Sequence, residues 1–362
     1  MPRLDSFLQM AREQGCSDVH LAVGMPPLFR LHGQLAPIKF RDLDTAELQG
    51  YLLEILTPAQ KRRFFEGADL DFSYMSPMAG RFRVNLFRKA TGVGAVMRSI
   101  AGVVPRISDL RLPPAVMQCA GRRQGLVLVT GSTGSGKSTT LAALTREIIE
   151  RRAVNVVTLE DPIEFLYRSE TSQIIQREIG THVESFAAGL RAALRQDPDV
   201  ILVGELRDRE TIEIAMTAAE TGHLVLGSLH TNSAAKTVDR ILDALPPDAR
   251  QQGVSFLSHH LVAVISQVLM RTPDGRNRRA VAEVMLQHPA ISNLIRSDKT
   301  FQIPEVIRTS RDAGMQLLDQ ALLDAVEAGQ VDPNQAYLVA QEKQPFEAYV
   351  TDADLVGARL GL

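Results

Sequence analysis

The spacing of apolar residues changes along this chain, and each change marks a different kind of element. Near the start, Leu4, Phe7, Leu8 and Ala11 recur at helical spacing. Val19 to Val23 and Leu28 to Leu35 then read as short strands, the second turning at Gly33, and Asp44 is the N-cap candidate for a helix whose apolar residues run from Leu48 to Leu56 and which ends near Pro58. Leu70 to Tyr74, Arg81 to Arg88 and Gly94 to Arg98 read as three further strands. Residues 1–100 are therefore expected to form an α+β domain on a small antiparallel sheet.

Gly102, Pro105, Pro113 and Pro114 interrupt any regular element over residues 101–114, which suits an interdomain linker. Beyond it the pattern alternates strand and helix: Leu126–Thr130, Lys137–Arg151, Val154–Leu159, Phe186–Arg195, Val200–Val203, Arg209–Thr221 and Leu224–Leu229. Continuously apolar strands between helices predict an α/β fold with a parallel sheet covered on both faces, whose ligands bind at the carboxyl ends of the strands. Residues 115–285 are assigned to this core. Residues 246–362 read as mostly helical, with a hairpin signal at Pro273-Asp274-Gly275, and 286–362 are assigned as a C-terminal helical region.

Composition removes some partners. The chain has 362 residues with 45% hydrophobic and 23% charged, an ordinary globular balance, and a formal charge of -2 gives no global reason to bind nucleic acid. Its two cysteines, Cys16 and Cys119, can build neither a disulfide framework nor a four-cysteine zinc module. No apolar run reaches the length of a membrane span, and the N-terminus is a poor signal peptide, so a cytoplasmic location is expected.

The strongest chemical signal is Gly131-Ser132-Thr133-Gly134-Ser135-Gly136-Lys137-Ser138, a G-x-x-x-x-G-K-S motif between an apolar strand and a helix. In such a P-loop the glycines let backbone N–H groups surround phosphate oxygens, the helix N-terminus adds its positive end, the lysine bridges β- and γ-phosphates and the serine ligates Mg²⁺. Ser132, Thr133, Gly134, Ser135, Gly136, Lys137, Ser138 and Thr139 are thus the candidates for binding ATP with Mg²⁺. The chemistry also needs carboxylates for metal and water. Glu160, Asp161 and Glu164 follow one apolar strand, and Glu205 follows another, Val200–Val203. Spacing does not divide the labour between Glu164 and Glu205. His230 directly follows the strand Leu224–Leu229, where it is either structural, a reporter of the γ-phosphate or a bridge to the water-positioning carboxylate. Arg81 and Arg83, at i and i+2, share one face of a strand opposite Phe82, Val84 and Leu86; that face is either simply solvated or an arginine clamp on the nucleotide. Arg240 is a weaker candidate of the same kind.

Taken together, the motifs resemble the secretion-superfamily ATPases and, within them, the PilT/PilU family of type IV pilus retraction motors. The resemblance runs over essentially the whole chain: Gly15-Cys16-Ser17-Asp18, Gly80–Asn85, the P-loop, Glu160-Asp161-Pro162-Ile163-Glu164, Leu194–Asp208, and Thr221-Gly222-His223 through His230-Thr231. It implies a PAS-like N-terminal domain, a RecA-like ATPase domain and a homohexameric ring. It further implies that Glu164 positions or activates water, that Glu205 supports Mg²⁺ beside Ser138, that His230 senses the γ-phosphate and that Arg81 and Arg83 contact nucleotide. The implied partners are an inner-membrane pilus platform protein, which would hold the motor peripherally at the inner membrane, and a paralogous retraction ATPase. Extension ATPases of the superfamily carry a four-cysteine metal site that this chain lacks, which favours retraction. One departure stands in Ala290-Ile291-Ser292-Asn293-Leu294-Ile295-Arg296, where the PilT-like pattern has arginine in place of Ser292 and the following segment looks more like PilU, the accessory motor. A RecA-like nucleic-acid translocase and a non-hydrolysing coupling subunit are the competing classes; against the former, no basic strip interleaved with aromatics occurs.

Overall fold

The computed structural model describes residues 2–31, 33–100, 102–352 and 354–355; Met1, His32, Ala101 of the expected linker, and residues 353 and 356–362 of the expected C-terminal region lie outside the described residues. The chain divides into two units, Met1–Val103 with Asp161–Leu166, and Val104–Glu160 with Tyr167–Leu362.

The first unit holds α1 (Asp5–Glu13), β1 (Asp18–Ala22), β2 (Leu28–Leu31), β3 (Gln34–Pro37), α2 (Thr45–Glu54), α3 (Pro58–Phe65), β4 (Leu70–Ser76), β5 (Gly80–Lys89) and β6 (Gly92–Ser99). Its six strands form one antiparallel sheet in the order β3-β2-β1-β6-β5-β4. The expected cap of α2 is present, with the Asp44 side chain accepting from the Glu47 N–H at 2.8 Å. Pro58, read as a stop, instead opens α3: it sits in the first turn, where a missing N–H costs nothing, behind a Thr57–Gln60 capping box. Leu4, Leu8, Phe64, Phe82, Val84 and Leu86 close the core on one side of the sheet.

The second unit contains α4 (Pro114–Gln118), β7 (Gly125–Thr130), α5 (Lys137–Arg151), β8 (Asn155–Glu160), β9 (Gln173–Glu178), α6 (Phe186–Ala193), β10 (Val200–Val203), α7 (Arg209–Glu220), β11 (Leu224–Leu229), α8 (Ala234–Ala244), α9 (Pro247–His260), β12 (Leu261–Arg271), β13 (Arg278–Leu286), α10 (Pro289–Arg296), α11 (Ile303–Thr309), α12 (Leu318–Glu327) and α13 (Pro333–Val339). The sheet order is β13-β12-β7-β11-β10-β8-β9, parallel throughout except for β13. Strands β7, β10 and β11 are buried along their whole length. Successive side chains go to opposite faces, so Val127, Val129, Val200, Leu202, Leu224 and Leu226 pack with α5, while Leu126, Leu128, Ile201, Val203 and Val225 pack with α7 and α8. Each such Leu or Val stabilises the unit by about 1.5–3 kcal/mol on leaving water.

Two expectations for this unit needed correction. Residues 261–286, read as mostly helical apart from a turn, are two long strands; the Thr272–Asn277 turn joins them, so the hairpin signal was right and its extent was missed. Strand β9 was not anticipated either, because Gln173–Glu178 has only two apolar residues, the adjacent Ile174 and Ile175, and lies at the sheet edge.

Candidate active site

The P-loop occupies the turn from β7 into α5, as its motif requires. Gly131 has φ +145° and Gly136 φ +90°, and a Cβ on Gly131 would fall 2.3 Å from the Gln267 carbonyl oxygen, so neither position accepts another residue without strain. The Lys137 Nζ donates to the carbonyls of Gly131 at 2.9 Å and Ser132 at 3.0 Å, which folds the ammonium over the loop. Ser132, Thr133, Gly134 and Ser138 are exposed, whereas Ser135 is buried with its hydroxyl unpartnered.

Strand order sets what lies beside the loop. From β7 the carboxyl ends of β11, β10 and β8 follow in turn, carrying His230, Glu205 and Glu160. Here the His230 Nε2 lies 3.1 Å from the Glu205 Oε1, and the Arg207 Nε donates to the same oxygen at 2.7 Å. Burial acts to raise the pKa of Glu205; the hydrogen bond and charge of Arg207 and the charge of His230 outweigh it and hold the carboxyl below its ordinary value. The Ser228 hydroxyl donates to the Gly204 carbonyl at 2.6 Å, tying the β10 end to β11. Glu160 accepts from the Thr158 hydroxyl at 2.7 Å and from Gln176 of β9 at 3.2 Å, which orients it at its own strand end.

Asp161–Leu166, with Glu164, groups with the first unit, as do Arg81 and Arg83 on β5. Arg83 pairs in a fork with Asp71 of β4 at 3.1 and 2.6 Å, and Arg81 donates to the Ser73 hydroxyl at 2.6 Å; both are diagonal cross-strand contacts. The hydrogen bond to Asp71 raises the pKa of Arg83 against the opposing effect of burial, and the charges of Asp71, Glu164 and Asp161 add to the rise. The structure thus brings Glu164 into the electrostatic field of Arg83, and separately brings Glu205 to His230.

Sequence reasoning missed three contributors. Arg207 is two residues past Glu205, the spacing at which an extended segment turns both side chains to one side. Gln267 of β12 is buried and donates to the Ser135 carbonyl at 2.6 Å while accepting from the Thr140 hydroxyl at 2.9 Å; the only signal was a polar pair, Ser266-Gln267, in an apolar run. Arg279 of β13 faces a cavity of about 400 Å³ beside the P-loop, lined also by Arg111, Gly136, Thr139 and Gln267. Its Nε and Nη1 are buried without a hydrogen-bond partner, and burial together with the Arg111 charge lowers its pKa.

The described residues hold no cluster of three metal-ligating side chains. A Mg²⁺ ion bound through nucleotide phosphates and water needs only one or two side-chain oxygens, and the hard oxygens of Ser138 and Glu205 fit that donor set. Among the described residues no helix is long and apolar enough to cross a membrane.

Residues 1–299 match the family described as type II/IV secretion system protein. A twitching motility protein of Neisseria gonorrhoeae is 45% identical over 318 residues, 88% of this chain and 85% of that protein. The type IV pilus retraction ATPase PilT of Pseudomonas aeruginosa is 43% identical over 343 residues, 95% of this chain and 99% of its own. The crystal structure of a pilus retraction motor PilT with bound ADP superposes with a TM-score of 0.88 at 38% identity, covering 94% of this chain and 98% of that one.

Proposed function

This chain belongs to the type II/IV secretion system protein family and is an ATP hydrolase with a RecA-like P-loop core, and from that premise we propose that it is the homohexameric motor of type IV pilus retraction, the process that underlies twitching motility. The observation that carries the reading is the row of strand ends in one parallel sheet, where the P-loop, His230 and Glu205 stand in adjacent places and Glu205 is already paired with His230.

In this reading the backbone N–H groups of residues 132–139 and the Lys137 ammonium hold the triphosphate. Ser138, supported by Glu205, would hold Mg²⁺, which when bound neutralises charge developing on the phosphates. Glu164 orients the attacking water and accepts its proton. His230 reports the γ-phosphate to Glu205, and Arg81 and Arg83 contact the nucleotide. The working domains are 1–100, the linker 101–114, the core 115–285 and the helical region 286–362. The motor acts in the cytoplasm, peripherally on an inner-membrane pilus platform protein. Replacing Lys137 by Ala should abolish ATP turnover by the purified protein; turnover near that of the parent would end the assignment.

A second reading, an accessory PilU-like ATPase working with a primary motor, is favoured by Ser292 in α10, where the PilT-like pattern has arginine.

A further inference from the structure

The P-loop is held from behind by one side chain that belongs to no motif. Strand β12 runs parallel to β7 with Ser266 opposite Thr130, and the two hydroxyls share a hydrogen bond of 2.7 Å. One residue on, Gln267 is 1% exposed and both ends of its amide are engaged. Its Nε2 donates to the Ser135 carbonyl at 2.6 Å, and its Oε1 accepts from the Thr140 hydroxyl at 2.9 Å. Because a carbonyl can only accept, the amide nitrogen must face Ser135, which fixes the orientation of the group. The backbone of Gln267 contributes too, since its carbonyl oxygen comes so close to Gly131 that no Cβ fits between them. Strand β12 therefore meets the loop at its first glycine, at its last turn before α5 and in the first turn of the helix.

The consequence follows from peptide geometry. In a trans peptide the C=O and the next residue's N–H point in opposite directions. Fixing the Ser135 carbonyl on Gln267 aims the Gly136 N–H away from β12. Gly136 has no Cβ and sits at φ +90°, so its own sterics restrain this peptide little and a partner is needed to fix it.

We infer that Gln267 is a positioning residue for nucleotide binding: by anchoring the Ser135–Gly136 peptide it presents the Gly136 N–H to the phosphates. The inference rests on the P-loop being the ATP site. Held this way, the N–H binds phosphate equally in the ground state and the transition state, so its loss acts on KM more than on kcat.

The test uses the full chain with three variants, measuring ATP turnover, the melting temperature without nucleotide, and the rise in melting temperature given by Mg-ADP. Gln267→Leu removes both bonds and should raise KM roughly tenfold or more while changing kcat far less, consistent with one well-placed hydrogen bond being lost. Gln267→Glu keeps the acceptor for Thr140 and loses the donor to Ser135 when ionised. Its KM should be high at alkaline pH and fall toward the parent value as the pH drops and the introduced acid takes up the proton it needs to donate, whereas the parent shows no such recovery. Thr140→Val leaves the Ser135 bond in place and should affect KM least. If Gln267→Leu does not fold, the pH profile of Gln267→Glu decides alone. A merely structural strut would lower the melting temperature without nucleotide and leave both KM and the Mg-ADP shift at parental values, and that result overturns the inference. A parent protein that Mg-ADP fails to stabilise would instead sink the assignment of the site, and this inference with it.

Discussion

A carboxylate flanked by a guanidinium and an imidazole keeps its charge against burial, and Glu205 is such a group, lying 2.7 Å from Arg207 and 3.1 Å from His230. Since its folded pKa is depressed, the stability it contributes is present above the ordinary carboxylate value of 4.5 and is lost as the pH falls through the lower value. At neutral pH it is a fixed anion, suited to supporting a cation and poorly suited to taking up a proton. Glu164 is the better candidate for base, and Glu164→Gln should leave ATP affinity near parental while slowing turnover roughly 10²- to 10⁴-fold, the usual range for a lost general base. Unimpaired turnover in that variant would move the role to Glu205. The places of Glu205, Lys137, Ser138 and His230 at strand ends and in the P-loop were legible because each follows an apolar strand or sits in a fixed-spacing motif. Gln267 and Arg279 were not, because their roles come from strand pairing between segments more than a hundred residues from the P-loop, and a single sequence does not state which strands are neighbours.

At the scale of elements, the least anticipated device is Glu283, a buried carboxylate on β13 that caps the start of α8. Its Oε1 accepts from the Ala234 N–H at the start of α8 at 2.6 Å. It thereby satisfies an orphan donor at the N-terminus of the helix that follows His230 and ties that helix to β13. Burial raises its pKa above the ordinary 4.5, in opposition to the backbone N–H groups of Ala234 and Leu318, and Asp319 adds to the rise. With the folded pKa above the unfolded one, this group's contribution to stability is complete below pH 4.5 and is lost as the pH rises through the raised value. Glu283→Gln, which keeps an acceptor and removes the charge, should flatten the fall of melting temperature with rising pH. Glu283→Ala, which leaves the Ala234 N–H unsatisfied, should cost about 1–3 kcal/mol. A Gln variant with an unchanged pH slope would show that the carboxyl is not the titrating group. The same region explains why 261–286 was misread: β12 is apolar without alternation because both its faces are covered, and such a run looks alike in a buried helix and a buried strand. In the first unit β1, β4, β5 and β6 were legible to within two residues at each end, whereas the fully exposed β3 was read only as the continuation of β2.

For the whole molecule, under the proposed retraction role, the question is whether the chain is the primary or the accessory motor, and neither charge nor fold decides it. A formal charge of -2 argues against a nucleic-acid track, and two buried, free cysteines exclude a four-cysteine metal module, so both observations narrow the class without separating primary from accessory motor. The separating feature is local: Ser292 on α10, whose face also carries the buried Ile291 and Ile295. An arginine there would place a cation one residue from a packed apolar stripe, and serine removes both its charge and its reach. If that site transmits force, its loss leaves hydrolysis intact and weakens coupling. Two strains decide the matter, one lacking this gene and one lacking its paralogue, each scored for fibre retraction and each complemented by the parent or by Ser292→Arg. Retraction abolished by loss of this gene alone, with the paralogue intact, identifies the primary motor. Retraction that persists but weakens identifies the accessory, and Ser292→Arg should then restore part of the lost retraction in the strain lacking the paralogue while ATP turnover of the purified variant stays within about threefold of the parent, as expected of a surface substitution away from the site. No gain of retraction from Ser292→Arg in that strain would remove Ser292 as the cause of the division.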